Sequence, residues 1–360
     1  MKKFLAFATL ASVALVGCVN DEKMEMTSQA KKISFDNPVM TTQTRADVKG
    51  EIYGTTYPAD EEFVVYAVQH NGNLTTWNDA KSFWTSDKTT PITVTKEGNG
   101  WEEQNGKDYY WPKASDENVK LSFAAYSPAE FGSGTASYGA TGLTIANFEV
   151  NDVVSNQIDL MYSERVLNQT ETSDGGVNIT FKHALSSIVF AAIDNDNAAT
   201  YTIKSIEVNG DFLVKETFNE GVTDDDTYSS VPKWTAASTS QNKEYAIWDG
   251  EYVVTGEAKE FTGKKDANLP QTALLVIPQE DAPDNATVTI TYTRDVTNGE
   301  DNTSTVTKAL NLFKNAGNAI TEWEIGKRYI YTFQFGGTKK IFFKPSVDGW
   351  EDQTAVSLEI

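Results

Sequence analysis

The chain has 360 residues, with 30 Lys or Arg against 51 Asp or Glu, so its formal net charge is −21. Such an acidic surface repels phosphate backbones and argues against nucleic-acid binding. The hydrophobic fraction of 39% and the aromatic fraction of 11% indicate a folded chain, long enough for about two domains. Cys18 is the single cysteine and His70 and His183 are the two histidines, so we expect no internal disulfide, no metal and no cofactor.

The first 17 residues have the order of a secretory signal. Lys2 and Lys3 precede a short apolar run, which ends in small residues before Cys18. The sequence Leu15-Val16-Gly17-Cys18 resembles a bacterial lipobox. Residues 1–17 are therefore predicted to be a lipoprotein signal peptide, with Cys18 as the lipidated residue; the alternative is an ordinary signal peptide with an incidental cysteine. The acidic Asp21-Glu22 pair resembles the surface-export signal of Bacteroidetes lipoproteins, which predicts a surface-exposed lipoprotein of the outer membrane.

Residues 18–45 are predicted to be a tether followed by a short strand. The tether is polar as far as about residue 29. In the strand, Ile33 and Phe35 share one face and Ser34 points to the other.

Beyond Gly50 the pattern is almost wholly that of β-strands. Apolar and polar residues alternate with a period of two in residues 119–126 and 286–293, and residues 187–193 form a denser apolar run. A shift of the apolar phase between Ile203 and Ile206 predicts a β-bulge. Short strands separated by Gly and Asn turns predict an all-β fold made of β-sandwiches.

The domain boundary is predicted from a polar stretch. Residues 166–176 lack a strong apolar period and end in two glycines. We therefore expect an N-terminal sandwich over residues 46–172 and a C-terminal sandwich over residues 173–360.

No catalytic constellation is evident in the sequence. There is no Gly-x-Ser-x-Gly elbow and no glycine-rich phosphate loop, and no pair of carboxylates stands out, so we expect no enzymatic activity and no catalytic residues. We expect the aromatic residues of one region to fill sandwich cores and cap hairpins, because such rings are favoured in strands; an exposed platform for glycans is the alternative interpretation. Its members would be Trp77, Trp84, Trp101, Tyr109, Tyr110 and Trp111.

The two ends of the chain carry similar strand patterns. Near the C-terminus, Val356, Leu358 and Ile360 form an apolar row like that of the N-terminal strand. An extended segment at Arg45-Ala46 is suited to cleavage by a trypsin-like protease. Cleavage would remove one strand of a sandwich and leave a groove that a strand from another molecule could fill. The alternatives are that the C-terminal strand closes its own domain and that Arg45 is an unused surface residue.

Several motifs, in this order along the chain, resemble those of the Bacteroidetes fimbrillins, the subunits of type V pili. They are the lipobox at Cys18, the Lys32-Ile33-Ser34-Phe35 strand before Thr44-Arg45-Ala46, Tyr109-Tyr110-Trp111-Pro112, Asp159-Leu160-Met161-Tyr162, Phe181-Lys182-His183-Ala184-Leu185-Ser186, Leu274-Leu275-Val276-Ile277-Pro278, Gly326-Lys327-Arg328-Tyr329 and Val347-Asp348-Gly349-Trp350-Glu351-Asp352.

The resemblance implies two tandem transthyretin-like Greek-key sandwiches and export as a lipoprotein. It implies trimming after Arg45 by an arginine-specific protease, displacement of the N-terminal strand with Ile33 and Phe35, and polymerisation through a donor strand with Val356, Leu358 and Ile360. The implied partners are other pilin subunits in a homo- or heteropolymer, that protease, the outer membrane through the lipid, and a receptor on a host or bacterial surface. A monomeric glycan-binding surface lipoprotein is the alternative function.

Overall fold

The computed structural model of the chain describes residues 31–40, 57–84, 90–98, 100–113, 118–171, 176–195, 199–223, 229–236, 240–261, 273–279, 285–295, 302–310, 314–315, 318–336 and 342–349. Apart from two 3-10 turns, at Trp77–Asp79 and Val154–Asn156, the regular elements named there are β-strands. Within the described residues no helix is long and apolar enough to cross a bilayer. The prediction of an all-β chain is confirmed.

The strands of the N-terminal half are β1 (Ser34–Phe35), β2 (Val39–Met40), β3 (Phe63–Asn71), β4 (Lys81–Ser82), β5 (Ile92–Glu97), β6 (Gly100–Glu103), β7 (Val119–Ser127), β8 (Thr135–Gly139), β9 (Gly142–Glu149), β10 (Met161–Ser163), β11 (Val166–Gln169), β12 (Gly176–Val177) and β13 (Thr180–His183).

The remaining strands are β14 (Ser186–Asp194), β15 (Thr200–Phe212), β16 (Lys215–Asn219), β17 (Val222–Thr223), β18 (Ser229–Ser230), β19 (Lys233–Ala236), β20 (Gln241–Val253), β21 (Lys259–Glu260), β22 (Leu274–Val276), β23 (Thr287–Asp295), β24 (Asn302–Ala309), β25 (Lys314–Asn315), β26 (Asn318–Ala319), β27 (Lys327–Phe335) and β28 (Phe342–Gly349).

The largest sheet, sheet I, closes on itself. Its strands follow the order β12-β1-β6-β5-β3-β7-β10-β13-β2, with β4 and β11 at its sides. Because β12 and β13 are consecutive pieces of the chain, as are β1 and β2, the two ends of this order meet. Every strand in that order contributes a side chain to one apolar cluster, which the ring therefore encloses.

Both faces of the central strands of sheet I are buried. In β3, Phe63, Val65 and Ala67 point into the enclosed cluster, whereas Val64 and Tyr66 belong to a second cluster. Sheet II, with the order β19-β16-β9-β8, covers this second face. The strict alternation of a strand thus supplies two cores at once.

The C-terminal half is a sandwich of two sheets. Sheet III has the order β21-β14-β27-β28, with β22 beside β14, and sheet IV has the order β20-β15-β23-β24. Their facing side chains form one core, in which Phe190 stacks on Phe333 and packs against Ile203 and Ile290 as members of the same cluster. The predicted bulge is confirmed, because the pairing of β15 with β23 shifts register between Ile203 and Ser205.

The division predicted between residues 172 and 173 does not separate the sheets. β13 pairs with β10 inside sheet I, with Phe181 opposite Ser163, and sheet III begins only at β14. The chain then returns through β16, where Phe218 lies opposite Ile145 of β9 in sheet II. A polar stretch marks a loop or an edge, but it does not tell which sheet the next strand joins.

Candidate functional site at the N-terminal segment

Residues 31–40, called the N-terminal segment from here on, form the strand that closes the ring of sheet I. β1 pairs in parallel with β12, where Ser34 lies opposite Gly176, and antiparallel with β6, where Phe35 lies opposite Trp101. Farther along, β2 pairs in parallel with β13. The segment therefore uses both of its hydrogen-bonding edges, one toward each neighbour.

Backbone hydrogen bonds hold the segment on both sides. They join Ile33 N to Tyr109 O (2.7 Å), Trp111 N to Lys31 O (2.9 Å), Asp36 N to Val177 O (3.1 Å) and Val39 N to Ile179 O (3.0 Å). If the segment left, the partner groups on both sides would lose their bonds, and buried polar groups without partners are costly.

The inner face of the segment is part of the enclosed core. Ile33, Phe35 and Met40 are 5%, 3% and 1% exposed. The Phe35 ring meets those of Phe63 and Phe123 edge to face, with centroids 5.9 Å and 6.3 Å away. Burying each large apolar side chain contributes about 1.5–3 kcal/mol, so these three anchor the segment.

The outer face of the segment carries an ion-pair cluster. Lys32 Nζ contacts the Glu102 carboxylate and lies 2.7 Å from Asp108 Oδ1. Its hydrogen bonds to Asp108 and to Glu102 raise the pKa of Lys32. The same hydrogen bond from Lys32 lowers the pKa of Asp108. All three side chains remain about a third or more exposed, so water screens this cluster.

One glycine makes room for the segment. A Cβ atom placed on Gly176 would lie 2.0 Å from Asp36 Oδ1. Where Ser34 pairs in parallel with Gly176, a side chain in place of the glycine would therefore force the Asp36 carboxylate to move.

This arrangement is a groove filled by a short strand. Its walls are β6 on one side and β12 with β13 on the other, and its floor is the enclosed cluster. Any extended peptide that offers alternating apolar side chains and free backbone groups satisfies the same requirements. The chemistry available to the site is therefore strand binding.

The other sequence-predicted site residues lie outside the described residues. These are Cys18 for lipidation, Arg45 and Ala46 for processing, and Val356, Leu358 and Ile360 for the donor strand. Ile33 and Phe35 are the predicted site residues that the structure describes, and both lie in the groove.

Sequence reasoning missed two parts of this site. Met40 is 1% exposed and belongs to β2, the second half of the segment, which follows Pro38. The apolar Val39-Met40 pair after the proline was the available signal. The pairing of Lys32 with Glu102 and Asp108 had no local signal, because the partners lie far apart in sequence.

The expectation that the aromatic-rich region fills the cores is confirmed for its tryptophans, which contradicts the alternative of a glycan platform for them. Trp77, Trp84, Trp101 and Trp111 are all 4% exposed or less. They fill the cores of sheets I and II rather than presenting a flat face to a sugar. Of the two tyrosines, Tyr110 is exposed and Tyr109 packs at the edge of the enclosed cluster.

Several solved structures are similar to this chain. A fimbrial protein from Bacteroides vulgatus matches with a TM-score of 0.53 at 20% identity, over 88% of this chain and 99% of its own. Two proteins provisionally assigned to cell adhesion are also similar. The one from Bacteroides uniformis matches 89% of this chain and 98% of its own, at 14% identity and a TM-score of 0.48. The one from Bacteroides ovatus matches 90% of this chain and 99% of its own, at 16% identity and a TM-score of 0.46.

The family comparison covers most of the chain. No curated protein matches it. Residues 44–350, however, match the fimbrillin-like family. The first of the solved structures shows the same fold, and the order of motifs along the sequence had pointed to this group. The chain therefore belongs to the fimbrillin-like family, whose members are structural and adhesion proteins rather than enzymes.

Proposed function

We propose that the chain is a structural subunit of a cell-surface pilus that supports adhesion. It is exported as a lipoprotein through Cys18, trimmed between Arg45 and Ala46, and polymerised by β-strand exchange. Trimming frees the N-terminal segment, and the vacated groove accepts a strand from a neighbouring subunit. Before trimming, the lipid holds the precursor at the outer membrane.

One observation carries the proposal. The N-terminal segment, which fills the groove, lies wholly before Arg45. A single cut after Arg45 would therefore detach the segment from the remaining chain without cutting any strand that the structure describes. The family assignment and the likeness to a fimbrial protein support a role in a surface fibre.

The C-terminal residues are proposed as the donor strand. Val356, Leu358 and Ile360 alternate with Ser357 and Glu359, as Ile33 and Phe35 alternate with Ser34. A strand of this pattern offers one apolar row to a groove and a free backbone to its walls.

The first test is the N-terminus of the surface form. We expect mass spectrometry of assembled fibres to find chains that begin at Ala46. An Arg45→Ala variant should remain at the cell surface with its lipidated Cys18 and should not enter fibres. If the wild-type assembled material begins only at the lipidated Cys18, the trimming model is wrong.

The second test concerns the donor strand. A chain that lacks residues 354–360 should fold with an unchanged circular dichroism spectrum but should not extend fibres. Loss of the folded state would instead show that this strand closes its own domain.

A further inference from the structure

At the rim of the groove, the ammonium group of Lys32 pairs with two carboxylates. Lys32 pairs with Glu102 of β6 and with Asp108 just beyond it. The nearby ammonium groups of Lys96 and Lys107 lie over the rings of Trp101 and Tyr109. Among the described residues, Lys32 is the only cation paired with either carboxylate.

Loss of the N-terminal segment would leave this rim negative. Glu102 and Asp108 both approach the same ammonium group, so they lie close to each other. Residues 1–45 contain six basic and four acidic residues, so their removal would change the formal charge of the chain from −21 to −23. Two neighbouring carboxylates on so acidic a protein favour any occupant that returns a cation to this position.

The C-terminal strand of a second copy does not supply that cation. Residues 345–360 contain no Lys or Arg. When two of the apolar residues of this strand take the places of Ile33 and Phe35, the three placements that keep the place of Lys32 within residues 354–360 put it on Ala355, Ser357 or Glu359, depending on register and direction. The last of these would bring a third carboxylate to the pair, which is unfavourable.

We infer that the groove selects a donor strand with a basic residue immediately beside its apolar row, so its preferred occupant is a strand of a different subunit rather than of a second copy of this chain. This inference rests on the proposed strand exchange. The apolar row supplies affinity, while Glu102 and Asp108 supply discrimination among strands of similar apolar pattern. Because the cluster is partly exposed, the discrimination is modest and depends on salt.

Peptide exchange on the full chain tests the inference. A site-specific protease sequence is inserted after Arg45, the chain is cut in place, and labelled peptides compete for the groove. At low salt, a peptide of residues 31–40 should bind roughly three- to tenfold more tightly than the same peptide with Lys32→Gln. At about 0.5 M salt the difference should shrink toward zero. The peptide of residues 354–360 should bind weakly, and Ser357→Lys should strengthen it several-fold.

A matched pair of protein variants separates charge pairing from peptide packing. In the Glu102→Gln protein, the preference for the unmodified peptide over the Lys32→Gln peptide should fall. The Glu97→Gln protein, which loses an exposed charge on β5, should keep this preference. Equal binding of these two peptides to the wild-type groove at low salt would overturn the charge selection and leave strand exchange standing. Failure of the unmodified 31–40 peptide to bind would contradict strand exchange itself.

Discussion

The N-terminal segment and strand β15 occupy similar positions in their sheets but differ in the length of their hydrogen-bonded ladders. Each lies between two neighbours and buries an apolar row. β15 has 13 residues and pairs along nearly its whole length with β20 and β23. The segment contributes two strands of two residues each, β1 and β2. The two regions are buried alike but differ in the hydrogen-bonded ladders beside them, and the length of a ladder sets how many backbone bonds must break for a strand to leave.

This difference predicts a spread of local stabilities. Regions with few backbone hydrogen bonds open below the global free energy of unfolding, whereas long central strands open only with the whole domain. We therefore expect the N-terminal segment to open on its own while the rest of the chain stays folded. Strand β15 should open only when the C-terminal sandwich unfolds.

The largest effect is expected from Phe190→Ala in the C-terminal sandwich. Phe190 is fully buried, and its ring stacks on Phe333 and Tyr331 with centroids 5.7 Å and 5.8 Å away. The cavity should lower the free energy of unfolding by about 3–5 kcal/mol. Urea denaturation followed by circular dichroism measures the loss. Val231→Ala, at a 66% exposed position, serves as the control, and a loss no larger than the control's would contradict a continuous core.

A smaller and more local effect is expected from Phe35→Ala. The lost ring should cost about 3 kcal/mol, but mainly by releasing the N-terminal segment. Amide hydrogen exchange should speed up at Asp36 and Val39, which donate to the backbone of the groove, and should stay slow at Ile206 in β15. Equal acceleration at all three sites would show that the segment is not a separable unit.

Gly176→Ala should also destabilise the N-terminal segment, but by less than Phe35→Ala. The new methyl group would meet Asp36 Oδ1, so the segment should lose about 1–2 kcal/mol of local stability. Gly100→Ala in the neighbouring β6 meets nothing within 4 Å and should have little effect on the segment. Combining Gly176→Ala with Asp36→Ala should cost less than the sum of the two single changes, and strict additivity would contradict this contact.

The smallest effect is a dependence on acid. The pKa of Asp108 is lowered from its ordinary 3.8 by the hydrogen bond from Lys32, so its contribution is present above pH 3.8 and is lost as the pH falls through the lowered value. Hydrogen exchange of Asp36 should therefore accelerate in this range. Asp108→Asn should reduce the acceleration, and Asp60→Asn, on an exposed turn, should not. If the pH dependence of exchange at Asp36 is the same in Asp108→Asn as in the wild type, the Asp108 carboxylate does not stabilise the segment.

Much of the local structure could be predicted from residue patterns. The alternation around Ser34 predicted both the strand and the burial of Ile33 and Phe35, and the phase shift after Ile203 predicted the bulge in β15. These successes have one cause. A strand exposes alternate side chains to opposite faces, so the face that a residue occupies is determined by its immediate neighbours.

The sequence alone could not determine which strands pair with each other or which side chains form ion pairs. Every strand offers the same backbone donors and acceptors, so nothing near Ser34 indicates that its partner is Gly176, and nothing near Lys32 indicates Asp108. For the same reason, no local pattern indicates that the chain crosses from sheet I to sheet III after β13. The amino-acid pattern thus determined the strands, their buried faces and the family, whereas the tertiary structure decided which edges meet, because that choice depends on the packing of the whole chain.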